Sequence, residues 1–279
     1  DIIWDKGLVP TELLDALSPR PDFHRFDYLG TYFVRFNTTK KPLDDPRVRK
    51  AMALAIDKAR LIAKYTKGGE RPADHFVPPG TGDYSSPSGP AHDPGLAKRL
   101  LAEAGYPDGD NFPTDFEYLF NSSPLNKNIA VELQRMWRDT LGIRVKLRQA
   151  EHKVYLAAQS ALDYHITRSS WIGDYNDPNT FLDMFMARNG NNRTGWANAD
   201  YDQLIRLANA TPDLAKRNGL FRQAETILIA NELPIAPLFF YVGINIYDPG
   251  RIGGIHPNIL DIHPVNAIHT IKRGQPVKK

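Results

Sequence analysis

From Phe116 to Trp171 the apolar residues change their spacing from strand-like to helical and back, twice. Phe116, Tyr118 and Phe120 alternate, which marks a strand with a buried face. Asn121-Ser122-Ser123 turns the chain. Ile129, Leu133, Met136 and Trp137 then share one stripe of a helix over 125–141, with Gly142 as its stop. Ile143, Val145 and Leu147 alternate again, a helix is expected over 152–161, and 164–171 reads as a third strand. A β-α-β-α-β order calls for parallel strands joined by right-handed crossovers. It places Asn121 and Asp174 just beyond the carboxyl ends of two strands of one sheet, on the same edge. Ligands of α/β proteins sit at that edge, where helix N-termini also point.

The third strand leads into YHITRSSWIGDYNDP, Tyr164 to Pro178. Its first part is rich in β-branched and aromatic residues. Ile172 to Asn176 then breaks the pattern with a glycine and the carboxylate of Asp174. Asp177-Pro178 opens a helix predicted over 178–186, with Asp177 as N-cap and the proline in the first turn. Asp174 could make an Asx-turn, or be neutralised by Arg168 six residues earlier. Its aromatic neighbours Trp171 and Tyr175 support another role. A carboxylate beside aromatic rings suits an ammonium group, through cation–π attraction and a charge-assisted hydrogen bond.

The rest of the chain alternates strands and capped helices. YLGTYFVRFN over 28–37 reads as a strand, with Tyr32, Val34 and Phe36 on one face and Phe33 and Arg35 on the other. Thr11, Asp45, Asp57 and Asp93 are read as helix N-caps, two of them followed by proline. The segment 72–94, dense in Pro, Gly and Ser, reads as a long surface loop or lid. Helices are predicted over 200–208 and 212–231. PIAPLFFYVGINIY over 234–247 is one long buried strand or two, and 250–279 is an extended return segment with a basic tail.

Composition removes several function classes. A chain of 279 residues, 42% hydrophobic and 24% charged, is an ordinary globular protein. A net charge of +3, without a Lys/Arg run longer than Lys40-Lys41 before the tail, argues against nucleic acid. No apolar run is long enough for a transmembrane helix. The chain has no Cys, which excludes disulfides and thiolate sites. Its eight His form no HxH or HExxH spacing, so no metal or cofactor is expected. There is no phosphate-binding loop and no nucleophile elbow. The paired carboxylates Asp44-Asp45 and Asp174/Asp177 do not call for glycoside chemistry, because Asp45 and Asp177 each precede a proline and cap a helix, and no catalytic residue is assigned. The start at Asp1, without Met or a signal peptide, reads as a processed or excised piece.

Five segments carry a family resemblance: YLGTYFVRFNTTKKPLDDPRVRKAMALAIDK at 28–58, AKRLLAEAGYPDG at 97–109, WIGDYNDPNTFLDMF at 171–185, NNRTGWANADYDQLI at 191–205 and PLFFYV at 237–242. In this order they resemble the C-terminal part of the family 5 extracellular solute-binding proteins, the oligopeptide-binding subunits of bacterial ABC importers.

The resemblance implies an α/β lobe of the type II periplasmic-binding-protein kind, with a mixed, mostly parallel sheet flanked by helices. Residues 1–27 would be a hinge-side lead-in, 28–242 the C-terminal ligand-binding lobe, and 243–279 a return segment packing on an N-terminal lobe missing from this chain. The receptor would be periplasmic or lipid-anchored. It would hold an extended oligopeptide between its lobes and deliver it to a membrane permease. By resemblance Asp174 grips the peptide's α-ammonium, with Trp171 and Arg168 of the same motif and Tyr175 beside it. Asn121, Tyr28 and Tyr241 match other cleft positions. The chain has His152 where the family often has Trp, Gln159 where some members have Arg, and Asn126 where some have His. Relatives of the same fold take sugars, opines, nickel complexes or haem. An enzyme or a protein-interaction module is the reading from another class.

Overall fold

The computed structural model describes residues 2–4 and 8–271. A six-stranded sheet runs in the order β2-β6-β1-β5-β3-β4. The strands are β1 Phe23–Phe36, β2 Arg71–Pro72, β3 Glu117–Asn121, β4 Lys146–Ala150, β5 Ile166–Ile172 and β6 Ile235–Ile246. β3 pairs in parallel with both β4 and β5, as the alternation of periods requires. β4 begins at Lys146, later than the alternation of Ile143 and Val145 suggested. Those two residues are buried in the approach to the strand. The other half of the sheet is antiparallel: β1 pairs with β5 and β6, and β2 with β6. Residues 234–247 therefore form one strand, and the fold class is α/β with a mixed sheet.

The helices are α1 Leu14–Leu17, α2 Pro46–Leu54, α3 Lys58–Leu61, α4 Pro94–Glu103, α5 Pro124–Leu141, α6 His152–Ser160, α7 Asn179–Leu182, α8 Ala199–Ala210 and α9 Leu214–Thr226. Asp45, Asp57 and Asp93 each accept a backbone N–H of their helix's first turn. Thr11 does not cap. It starts a 3-10 turn preceded by Pro10, with no side-chain cap bond.

The alternation along β1 builds two cores. Tyr32, Val34 and Phe36 face one side, with α2, α4 and α5 laid over them. Leu29 and Phe33 face the other, under α7 to α9. Segment 72–94 departs from the surface loop expected of its composition. Ala73, Phe76, Val77, Thr81 and Tyr84 are buried, and Phe76 packs edge-on against Phe33, Phe181 and Phe185. Proline and glycine set an irregular backbone, much of it exposed, and these apolar anchors pin it to the body. Glu225 of α9 secures the strap, accepting from the N–H groups of Phe76 (2.8 Å) and Val77 (2.9 Å) and from the Tyr84 hydroxyl (2.7 Å).

Two register shifts shape the β1–β6 ladder. One lies between Asp27 and Thr31, the other between Tyr32 and Phe33. Across the first, Leu29 leaves β6 and bonds elsewhere: its N–H donates to Ile259 O, and its carbonyl accepts from Gly173 N–H, both at 2.8 Å. This bulge re-aims Tyr28 and Gly30 at the end of the sheet where β5 finishes.

Candidate functional site

The carboxyl ends of the parallel strands define one rim. β3 ends at Asn121, paired with Ala150 at the end of β4, and His152 is the first residue of the helix that follows. β5 ends at Ile172, opposite Gly30 of the bulge, and Gly173-Asp174 comes next. Two glycines allow the close approach here. A Cβ on Gly30 would sit 2.5 Å from Ile172 Cδ1 and 2.9 Å from Tyr241 Cδ2. A Cβ on Gly173 would sit 2.6 Å from Leu29 Cδ2. A larger residue at either position would displace the side chains of Ile172 and Tyr241, or of Leu29, that close over the strand ends.

Asp174 is exposed. Its backbone N–H donates to Thr180 Oγ1 at 3.1 Å, which fixes the loop. Its carboxylate has no hydrogen bond or ion pair among the described residues, so it serves neither as a cap nor as an Asx-turn acceptor. Asp177, three residues on, is spent locally. It accepts from Asn179 N–H at 2.9 Å and takes two bonds from Arg217, of 2.6 and 2.8 Å. The predicted helix over 178–186 is thus a short α7 followed by a 3-10 turn over Asp183–Phe185, with Asp177 bonding its first turn. Asp183 faces the same loop. Burial and the nearby charge of Asp174 both raise its pKa above the ordinary carboxylate value.

Arg168 does not neutralise Asp174. No ion pair or hydrogen bond joins the two among the described residues, and Asp174 lies in the loop beyond the end of β5. Arg168 lies with its guanidinium carbon 5.0 Å from the centre of the Tyr32 ring and donates to Ser170 Oγ at 3.0 Å. Trp171 is on the opposite face, and its indole N–H donates to Thr180 O at 2.7 Å. The indole therefore braces the Asp174 loop from beneath. Tyr175 is exposed and its hydroxyl accepts from Asn179 at 3.1 Å.

The other expected site residues fall into two groups. Tyr28 and Tyr241 line a cleft of about 670 Å³ with Ile172, Ser123, Leu125 and Trp4. Asn121 lies at the end of a polar relay: its side-chain oxygen accepts from Asn126 at 3.0 Å, and Asn126 accepts from the Tyr32 hydroxyl at 3.1 Å. His152 is exposed at the head of α6, stacked at 6.1 Å on Tyr155. A second depression of about 740 Å³, lined by Asp108, Arg144 and Lys146, lies at the start of β4, the opposite end of that strand from the rim. Among the described residues no group of three or more His, Cys, Asp or Glu could hold a metal ion.

Sequence reasoning missed Thr180, Asp183, Ile172 and the buried Arg35. Alternation placed Arg35 beside Phe33, but no local signal showed whether a carboxylate would meet it.

Comparison with known proteins gives the class. The profile of the bacterial extracellular solute-binding proteins, family 5 (middle region), matches residues 3–193, and the chain belongs to that family. Among curated proteins it is 37% identical over 262 residues to the dipeptide-binding protein DppE of Bacillus subtilis, covering 91% of this chain and 48% of that protein. It is 34% identical over 250 residues to the periplasmic murein peptide-binding protein MppA of Escherichia coli, covering 88% and 46%. Its fold matches a periplasmic oligopeptide-binding protein of Borrelia burgdorferi with a TM-score of 0.85 at 33% identity, over 97% of this chain and 54% of that one. It matches the structure of E. coli MppA with a TM-score of 0.86 at 30% identity, over 98% and 54%. The fold is thus of the type II periplasmic binding kind, and these named relatives are binding proteins. The chain spans about half the length of the curated relatives it matches.

Proposed function

We propose that this chain is the C-terminal ligand-binding lobe of a peptide receptor serving an ABC importer, and that Asp174 grips the α-ammonium of an extended oligopeptide. The observation that carries this reading is the unpaired, exposed carboxylate of Asp174 on a braced loop. An α-ammonium, with a free pKa of about 7.7–8.0, is mostly charged at neutral pH. Ile172, Tyr28 and Tyr241 give the ligand an apolar bed beside it. Main-chain bonding to the rim would give affinity with little sequence preference, and side-chain pockets would add the selectivity.

The ligand's other wall would come from an N-terminal lobe. The division into a lead-in over 1–27, a lobe over 28–242 and a return segment over 243–279 is supported by the bulge after Asp27. Beyond it Phe23–Asp27 and Val242–Ile246 continue as a two-stranded ribbon. Such a ribbon suits a hinge about which two lobes close, a motion that would both capture the peptide and signal to a permease. The described residues contain no helix long and apolar enough to cross a membrane. The reading places the receptor in the periplasm or on a lipid anchor outside the cell.

The test is calorimetry on the full polypeptide with trialanine and N-acetyl-trialanine. Acetylation removes the positive charge and is expected to weaken binding at least about tenfold, the low end for a hydrogen bond to a charged group. Equal affinities would refute the ammonium contact.

A further inference from the structure

The cleft lined by Tyr28, Tyr241 and Ile172 holds a carboxylate of its own. Among the described residues that line it, Asp261 is the sole charged one. One of its oxygens is held in place. Oδ1 accepts from the Asn245 amide at 3.1 Å and lies 2.7 Å from Nε2 of His263. Asn245 is fully buried on β6. The His263 ring, 2% exposed, has Trp4 and Phe26 as ring neighbours at 6.3 and 6.4 Å. Asn258 closes the turn that carries Asp261: its carbonyl accepts from Asp261 N–H at 3.0 Å, and its side chain bonds the N–H and carbonyl of Ile262. Asp261 has a left-handed backbone, with φ of 52°, a conformation uncommon for a residue with a Cβ.

The other oxygen is left over. Oδ2 has no hydrogen bond among the described residues, and no described Lys or Arg pairs with the carboxylate. It lies over Gly243, where a Cβ would come within 3.3 Å of it, and Gly243 also lines the cleft. A charge among apolar walls is costly without a partner of opposite sign. The rings of Trp4, Tyr28 and Tyr241 around the cleft suit a cation as well.

Backbone bonds place this carboxylate relative to Asp174. Leu29 donates its N–H to Ile259 O and accepts at its carbonyl from Gly173 N–H. Leu29 therefore stands between the two segments, which lie about 10 Å apart at about 4.8 Å for each strand spacing. Asp174 follows Gly173 directly, and Asp261 comes two residues after Ile259. An extended peptide rises about 3.3 Å per residue, so with its ammonium at Asp174 its first three residues span that gap.

We propose that Asp261 forms a second, cation-taking subsite in the cleft, occupied by a Lys or Arg side chain near the N-terminus of the bound peptide. The inference rests on the peptide reading above and specifies it: the receptor favours ligands with a positive side chain among their first three residues.

Calorimetry on the full polypeptide tests this with trialanine and with tripeptides of alanine carrying Lys or its neutral analogue norleucine at position 1, 2 or 3. At one position at least, Lys is expected to bind about tenfold or more tightly than norleucine, through a charge-assisted contact. Asp261→Asn keeps an acceptor for Asn245 and His263 and suits a left-handed backbone, but removes the charge. In that variant the Lys to norleucine ratio falls to near one, while trialanine binds within about twofold of wild type and the unliganded melting temperature is unchanged.

No Lys preference at any position, or a preference unchanged in Asp261→Asn, would overturn the subsite. So would a variant that melts well below wild type or loses trialanine as much as the Lys peptide, since the carboxylate would then serve the fold. Trialanine bound with dependence on its free N-terminus, but without Lys preference, would overturn the subsite alone. Failure of every peptide to bind would overturn the peptide reading with it.

Discussion

Two carboxylates near the strap over 72–94 show how the same group serves fold and site. Glu225 is fully buried and takes two backbone N–H groups and a phenol. Burial still raises its pKa above the ordinary value against those donors. Asp174 stands at the open rim with a braced backbone and a carboxylate that nothing described engages. The two are linked, since the strap that Glu225 holds also reaches the Asp174 loop, Gly82 N–H donating to Asn176 Oδ1 at 2.9 Å. The difference teaches that a carboxylate is kept free for a ligand by anchoring its loop through other groups: Thr180, Trp171, Asn176 and Asp177.

Breaking the anchored side should cost the most. Glu225→Ala would leave two buried N–H groups and the Tyr84 hydroxyl without an acceptor. A loss of at least about 3 kcal/mol in unfolding free energy is expected in chemical denaturation, since each orphaned group costs about 1–3 kcal/mol. A loss under about 1 kcal/mol would show that the strap is held by its apolar residues alone.

Arg217→Ala tests the anchor nearest the site. Burial works against the charge of Asp177, but the Arg217 bonds and the Asn179 N–H outweigh it and hold its pKa below the ordinary carboxylate value. A depressed carboxylate adds stability above its unfolded pKa, and that stability is lost as pH falls through the folded value. The variant is therefore expected to lose about 1–2 kcal/mol near pH 7. The gap between variant and wild type should narrow as pH falls below about 4. A gap independent of pH would assign Arg217 a packing role instead.

Much of this contrast was legible in the sequence, because the signals were local. The change of period from Phe116 to Trp171 set the parallel strands, and each Asp-Pro pair or lone Asp before a helical stripe marked a helix start. The loop position of Asp174 followed from both. What stayed hidden depended on contacts distant along the chain. The antiparallel half of the sheet joins β1 to β6 across some 200 residues, and nothing in 234–247 names its partner. The strap's buried anchors stayed hidden because its prolines and glycines describe a backbone that could lie anywhere, while Phe76 and Tyr84 are inward-facing only once α9 supplies Glu225. Alternation put Arg168 and Trp171 on different faces of β5, yet their shared motif made them look like one cluster. Arg35 has the spacing of any strand residue, and its lack of a partner is a property of the packed fold.

The ammonium contact at Asp174 is decided by pairing Asp174→Ala with N-acetylation of trialanine in one thermodynamic cycle, measured by calorimetry on the full polypeptide. Asp174→Ala is expected to leave unfolding stability within about 0.5 kcal/mol, as for a surface change that removes no contact. The free peptide should bind the variant at least about tenfold more weakly, with no further loss on acetylation, because the two changes remove one shared interaction. An acetylation penalty of equal size in wild type and variant would instead place the ammonium against another group.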